Sequence, residues 1–93
     1  MIRSFADKET ERLFCEGTSK KLPASLIKRA VRKLDMIDAA YRIEDLLSPP
    51  GNRLHRLKGD RAGQYSISVN DQWRICFRFQ GEDAHDVELC DCH

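Results

Sequence analysis

The segment Arg53-Leu54-His55-Arg56-Leu57-Lys58-Gly59-Asp60-Arg61 places one histidine and four cations within nine residues. A histidine gives or takes protons near neutrality, its reference pKa being about 6.5. Fixed cations aimed at a developing oxyanion usually lower a barrier most, by about 3–4 kcal/mol for each donor. These are the parts that cleavage of an RNA phosphodiester needs without a metal. A base draws the proton from a 2′-hydroxyl, an acid protonates the leaving oxygen, and cations stabilise the crowded phosphorane. Arg74, and His93 beside Asp91 at the end of the sequence, extend the set. Taken singly, each is common on an ordinary surface; the constellation carries the reading.

The elements that must position these groups follow from periodicity. Ile2 to Phe5 suits a short first strand. Asp7 caps a helix over 7–16, with Leu13 and Phe14 behind it and Gly17 placed to stop it. Pro23 opens a second helix, in which Leu26, Ile27, Ala30, Val31, Leu34, Ile37 and Tyr41 form one apolar stripe at three- and four-residue steps. Arg42 to Leu47 adds a short helical turn before Ser48-Pro49-Pro50-Gly51 breaks the chain.

From there the period is two. Tyr65, Ile67 and Val69 alternate with polar neighbours, and Asn70-Asp71 makes a turn. Trp73, Ile75, Phe77 and Phe79 then alternate with Arg74, Cys76 and Arg78, and Gln80-Gly81-Glu82-Asp83 makes a second turn. Val87 and Leu89 share one face of a last strand. The fold class is α+β: one domain over 1–93, an N-terminal strand and two to three helices on one face of a mainly antiparallel sheet. Arg74 and Arg78 fall on the other face, where they meet water or an anion.

Ninety-three residues make one domain, since domains run to about 50–250 residues. The 41% apolar and 33% charged composition is that of a globular protein. No apolar run reaches the roughly 18–20 residues of a bilayer span, and residues 1–5 lack a secretory pattern, so no membrane is expected and the expected location is cytoplasmic. Cys15 and Cys76 lie in apolar-patterned segments and are expected to be buried and reduced.

The net charge of +1 conceals an asymmetry. Residues 1–50 carry ten Lys/Arg against eight Asp/Glu, residues 51–80 six against two, and residues 81–93 none against five. A second basic cluster comprises Lys20, Lys21, Lys28, Arg29, Arg32 and Lys33. Such patches attract polyanions even when the whole chain is near neutral. This cluster, with Arg53, Arg56, Arg61 and Arg78, makes up the expected contacts to a polyanion such as RNA.

The run from Leu54 to Gly63, then Tyr65-Ser66-Ile67-Ser68-Val69 and Gln72-Trp73-Arg74-Ile75-Cys76-Phe77, resembles the HigB type of the RelE superfamily. The start Ile2-Arg3-Ser4-Phe5 and the ending Asp91-Cys92-His93 have the same look, so the resemblance covers essentially the whole chain. It implies a bacterial toxin with a RelE-like fold that cleaves mRNA on the translating ribosome, without cofactor or metal. It implies two partners: a cognate antitoxin, HigA-like with a helix-turn-helix, and the 70S ribosome with mRNA in its A site. It also implies roles: His55 in the acid/base set, Lys58 and Arg74 as cations on the scissile phosphate, Asp91 and His93 closing the site. Those last two roles require that the final strand end near Leu89 and the tail turn over, because a straight strand points both residues at the core. Cys92 stands where many members carry tyrosine. It has no ring to stack on a base and donates hydrogen bonds weakly, which implies an altered rate or codon preference.

Three other readings compete. Cys90-Asp91-Cys92-His93 with His85 nearby suggests zinc, but the spacing is not a common structural one and no second pair accompanies it. A toxin of the same fold that only binds, as a gyrase poison, would not need His55, Lys58, Arg74 and His93. An inactive remnant that occupies antitoxin or ribosome is the third. The sequence offers no set of stacking aromatics for free RNA, so naked RNA is expected to be a poor substrate.

Overall fold

A computed structural model describes residues 1–91. Two helices, α1 (Lys8–Glu16) and α2 (Ala24–Ala39), pack on one face of a four-stranded antiparallel sheet. Its strands are β1 (His55–Arg56), β2 (Tyr65–Ser68), β3 (Trp73–Gln80) and β4 (Asp83–Asp91), in spatial order β1-β2-β3-β4. The α+β expectation holds.

Local chemistry sets the helix ends. The Asp7 carboxylate accepts the Thr10 N–H at 2.7 Å, and Gly17 at φ 72° donates its N–H to Leu13 O at 3.0 Å. Only a residue that tolerates the left-handed region closes a helix this way at little cost. Ala30, Leu34 and Ile37 of α2 are buried as the stripe predicts. Tyr41 departs from it: the helix stops at Ala39 and Tyr41 is 69% exposed. A 3₁₀ turn follows over Ile43–Leu47, its start held by the Asp45 carboxylate, which accepts the N–H groups of Tyr41 and Arg42.

The core lies between the helices and the inward residues Ile67, Ile75, Phe77, Val87 and Leu89. Cys15 corrects an expectation. It is exposed on α1, because the buried residues of that helix are Thr10 and Leu13 and Cys15 lies well round from both.

The N-terminal segment is also not a strand. Ile2 and Phe5 make isolated parallel bridges to Ala84 and Val87. Between those partners β4 carries one extra residue against β3, with Asp86 at φ 53°. This β-bulge interrupts any continuous ladder on the outer edge. It also explains how Ala84 and Val87, three residues apart, both face inward. The edge is covered all the same: Ser4 O accepts Val87 N–H, Ser4 Oγ accepts Asp86 N–H and Thr10 Oγ1 accepts Leu89 N–H. An unpaired edge would otherwise be a template for association.

Candidate active site

β1 is only two residues long, yet it lays the basic segment against the sheet. His55 pairs with Ser66, which pairs with Cys76, which pairs with Glu88, so these four lie in one row on the face away from the helices. Ser68, Arg74 and Cys90 form the next row on that face. Arg74 is fixed at two points: Nε donates to Ser66 Oγ at 2.9 Å and Nη2 donates to Arg53 O at 2.9 Å. Neither acceptor is charged, so both orient the guanidinium without neutralising it. Arg53 sits in the left-handed region at φ 48°, closing the 3₁₀ turn Pro50–Asn52. Non-glycine residues are uncommon there and the strain is characteristic of functional loops. It aims the Arg53 carbonyl at Arg74.

Arg53, Leu54, His55, Leu57 and Arg74 line a shallow cleft of about 530 Å³. The structure thus brings His55 and Arg74 together, from segments separated by β2. Lys58 follows the cleft residue Leu57, exposed at the start of the 3₁₀ turn Gly59–Arg61. Asp91 is not brought there. Pairing continues past Leu89, and Asp91 lies opposite Trp73, on the core side of the sheet, where Gln72 Nε2 donates to its Oδ2 at 3.3 Å. The strand end expected near Leu89 is therefore two residues late, so Asp91 does not close the site as expected, and the role of His93 requires a turn after Asp91 instead. His93 and Cys92 lie outside the described residues, and so does part of the Cys90–His93 cluster weighed for zinc. Among the described residues no group of three or more His, Cys, Asp or Glu is placed to hold a metal.

The other expected RNA contacts divide by partner. Arg61 Nη2 meets Glu88 Oε1 at 3.1 Å, and Arg78 Nε meets Asp86 Oδ2 at 3.4 Å. Arg56 turns to the helix side, donating to Tyr65 Oη at 3.0 Å and lying over that ring. Lys20 is exposed, and Lys21 lies 3.9 Å from the Asp7 carboxylate. Lys28 is exposed on α2. Arg29, Arg32 and Lys33 line a second groove with Pro49, Gly51, Ser68 and Val69. Lys33 Nζ donates to Oδ1 of the fully buried Asn52, whose amide donates to Leu46 O and Ser48 O. Burial, then Arg29 and Arg32 beside it, hold the Lys33 ammonium below its ordinary pKa.

Three residues with structural roles in this region were not singled out from sequence: Ser66, Asn52 and Glu88. Strand alternation does place Ser66 on the face of Arg74, but a serine in a strand carries no signal of what it will orient. Cys76, 2% exposed, is buried on the face opposite the core. A hydrogen bond with Cys76, then burial, push the Cys90 thiol far up, so it stays uncharged at neutral pH.

A family model described as a RelE-like toxin of the type II toxin-antitoxin system HigB matches residues 3–93. The chain is similar to an Endoribonuclease HigB of Proteus vulgaris, 40% identical over 93 residues and spanning the whole of both chains. It is similar to Toxin HigB-1 of Vibrio cholerae serotype O1, 40% identical over 80 residues, which is 85% of this chain and 84% of that one. Among solved structures it resembles a chain of the YoeB-YefM complex from Staphylococcus aureus with a TM-score of 0.62, covering 100% of this chain and 98% of that chain. Sequence identity there is 15%, so that likeness speaks for the fold.

Proposed function

Because the chain belongs to the HigB-like family of RelE-like toxins of type II toxin-antitoxin systems, we propose that it cuts messenger RNA held on the translating ribosome. It is a toxin with endoribonuclease activity. The observation that carries the mechanistic reading is Arg74, fixed by two uncharged acceptors in the cleft that His55 lines.

In the proposed reaction the 2′-oxygen attacks the adjacent phosphorus and the 5′-oxygen leaves, which yields a cyclic phosphate and a free 5′-hydroxyl. His55 and His93 share the two proton transfers, one from the 2′-hydroxyl and one to the leaving oxygen. Arg74 stabilises the charge that gathers on the non-bridging oxygens, and Lys58 adds a second cation. Asp91, bonded by Gln72, fixes the strand end from which His93 follows two residues on. Lys20, Lys28, Arg29, Arg32, Lys33 and Arg53 are the proposed contacts to ribosomal RNA or the mRNA backbone. The setting is the cytoplasm with the 70S ribosome, mRNA in its A site, and the protein partner is a HigA-like antitoxin. No helix among the described residues is long and apolar enough to cross a membrane.

The test compares the purified protein on naked mRNA and on the same mRNA under translation. Cleavage is expected on translating ribosomes, with little on naked RNA. Intact transcripts together with inhibited DNA supercoiling after brief induction would overturn the reading.

A further inference from the structure

We propose that Arg61 and Glu88 are a positioning pair that latches the loop carrying Lys58 onto the open face of the sheet. Arg61 is then not an RNA-binding cation. The inference rests on the reading of that face as the RNA-cleaving one.

The loop between β1 and β2 is tied to itself. Leu57 N–H donates to Gln64 O at 2.9 Å, Ala62 N–H to Gly59 O at 3.1 Å and Gln64 N–H to Arg61 O at 3.0 Å. It therefore moves as a block, and where that block sits depends on what its outer end grips. Arg61 is that end. One arm of its guanidinium donates to Gln64 Oε1 within the loop, and the other meets Glu88 Oε1 on β4, both at 3.1 Å. Since β3 lies between β2 and β4, the side chain reaches across a whole strand. Glu88 pairs with Cys76, so the bridge passes over that residue, which is buried on this otherwise open face.

Charge argues the same way. A carboxylate on a face that receives a polyanion repels it unless a cation answers it. Arg61 answers Glu88, and its own charge is thereby withheld from RNA. The uncharged Cys90 beside it leaves Glu88 as the acid that Arg61 faces. Lys58, three residues before Arg61, owes its place near the cleft to this grip. A displacement of about 1 Å at a reacting centre can cost on the order of a hundredfold in rate.

The experiment measures single-turnover cleavage and ribosome affinity for Arg61→Ala, Glu88→Ala, Glu88→Gln, the double alanine variant and the exchange Arg61→Glu with Glu88→Arg. Thermal melts and amide hydrogen exchange over residues 57–64 accompany each. A latch predicts that either alanine slows cleavage by about tenfold to a hundredfold while affinity shifts less than about twofold. The double variant is then no worse than the poorer single one, because partners in contact are not additive. The exchanged pair recovers part of the rate, Glu88→Gln is milder than Glu88→Ala, and exchange over 57–64 quickens in every slow variant. Arg61 as an RNA ligand predicts the opposite pattern: weaker affinity for Arg61→Ala and tighter affinity for Glu88→Ala. That pattern, or unchanged rates in both alanine variants, overturns the proposal. If the wild-type protein cuts nothing, the reading of the function fails by itself, and unaltered exchange over 57–64 in the variants still overturns the latch.

Discussion

Arg74, Arg61 and Arg78 share one face of the sheet but present different charges to a ligand. Arg61 and Arg78 each meet a carboxylate, whereas Arg74 is held by a hydroxyl and a carbonyl. Arg74→Ala should therefore lower the single-turnover cleavage rate by about 3 kcal/mol, roughly a hundredfold or more, with little change in folding. Arg74→Lys should recover only part of this, because an ammonium cannot meet Ser66 and Arg53 in the same fixed fork. A full recovery by lysine, read in the same assay, would show that geometry at this position is immaterial. Arg74 was legible in the sequence because strand alternation alone places it opposite Trp73 and Ile75. Its partners were not, since nothing in the pattern says that Ser66 accepts from it or that the Arg53 carbonyl is turned its way. Glu88 was hidden for a similar reason. It sits in an acidic stretch, and composition does not distinguish a paired carboxylate from a solvated one.

At the scale of elements, strong periodicity was readable and short, irregular pieces were not. Both helices follow from caps and apolar spacing, and β2 and β3 from strict alternation. The two-residue β1 has no period to detect; pairing with β2 creates it. Residues 2–5 read as a strand because Ile2 and Phe5 are apolar, but Asp86 in the left-handed region breaks the partner they would need. The turn after α2 has its own acid-sensitive device. Hydrogen bonds from the Tyr41 and Arg42 N–H groups hold the Asp45 carboxyl below its ordinary pKa of 3.8. A lowered folded-state pKa contributes stability that is present above the ordinary value and lost as pH falls through the lowered one. Asp45→Ala should therefore melt below the wild type at neutral pH, with the gap narrowing once pH drops under 3.8. Melting curves across that range decide it; a gap that widens in acid would contradict the cap.

The whole molecule carries its charge unevenly, and the two basic regions border each other. The 3₁₀ turn Pro50–Asn52 stands between the Arg74 cleft and the groove of α2: Gly51 lines one and Arg53, just after the turn, lines the other. Phosphate contacts make affinity fall with salt in proportion to their number. Arg32→Ala should thus reduce the slope of log affinity for the ribosome against log salt by about 1, with the intrinsic cleavage rate unchanged. An unaltered slope would remove the α2 groove from the interface.

The surplus residue in β4 also governs which changes of length the chain can absorb. Loss of His85 or Asp86 restores plain alternation and still leaves Ala84, Val87 and Leu89 turned inward. Loss of Glu88 or Leu89 turns Cys90 and Asp91 to the opposite side and carries Cys90 into the core. In a scan of single-codon deletions read by growth arrest, 85 and 86 should be the permissive positions of the strand, and 88 and 89 the forbidden ones. That makes the neighbourhood of Asp86 the place where this strand can gain or lose a residue over generations and remain a toxin.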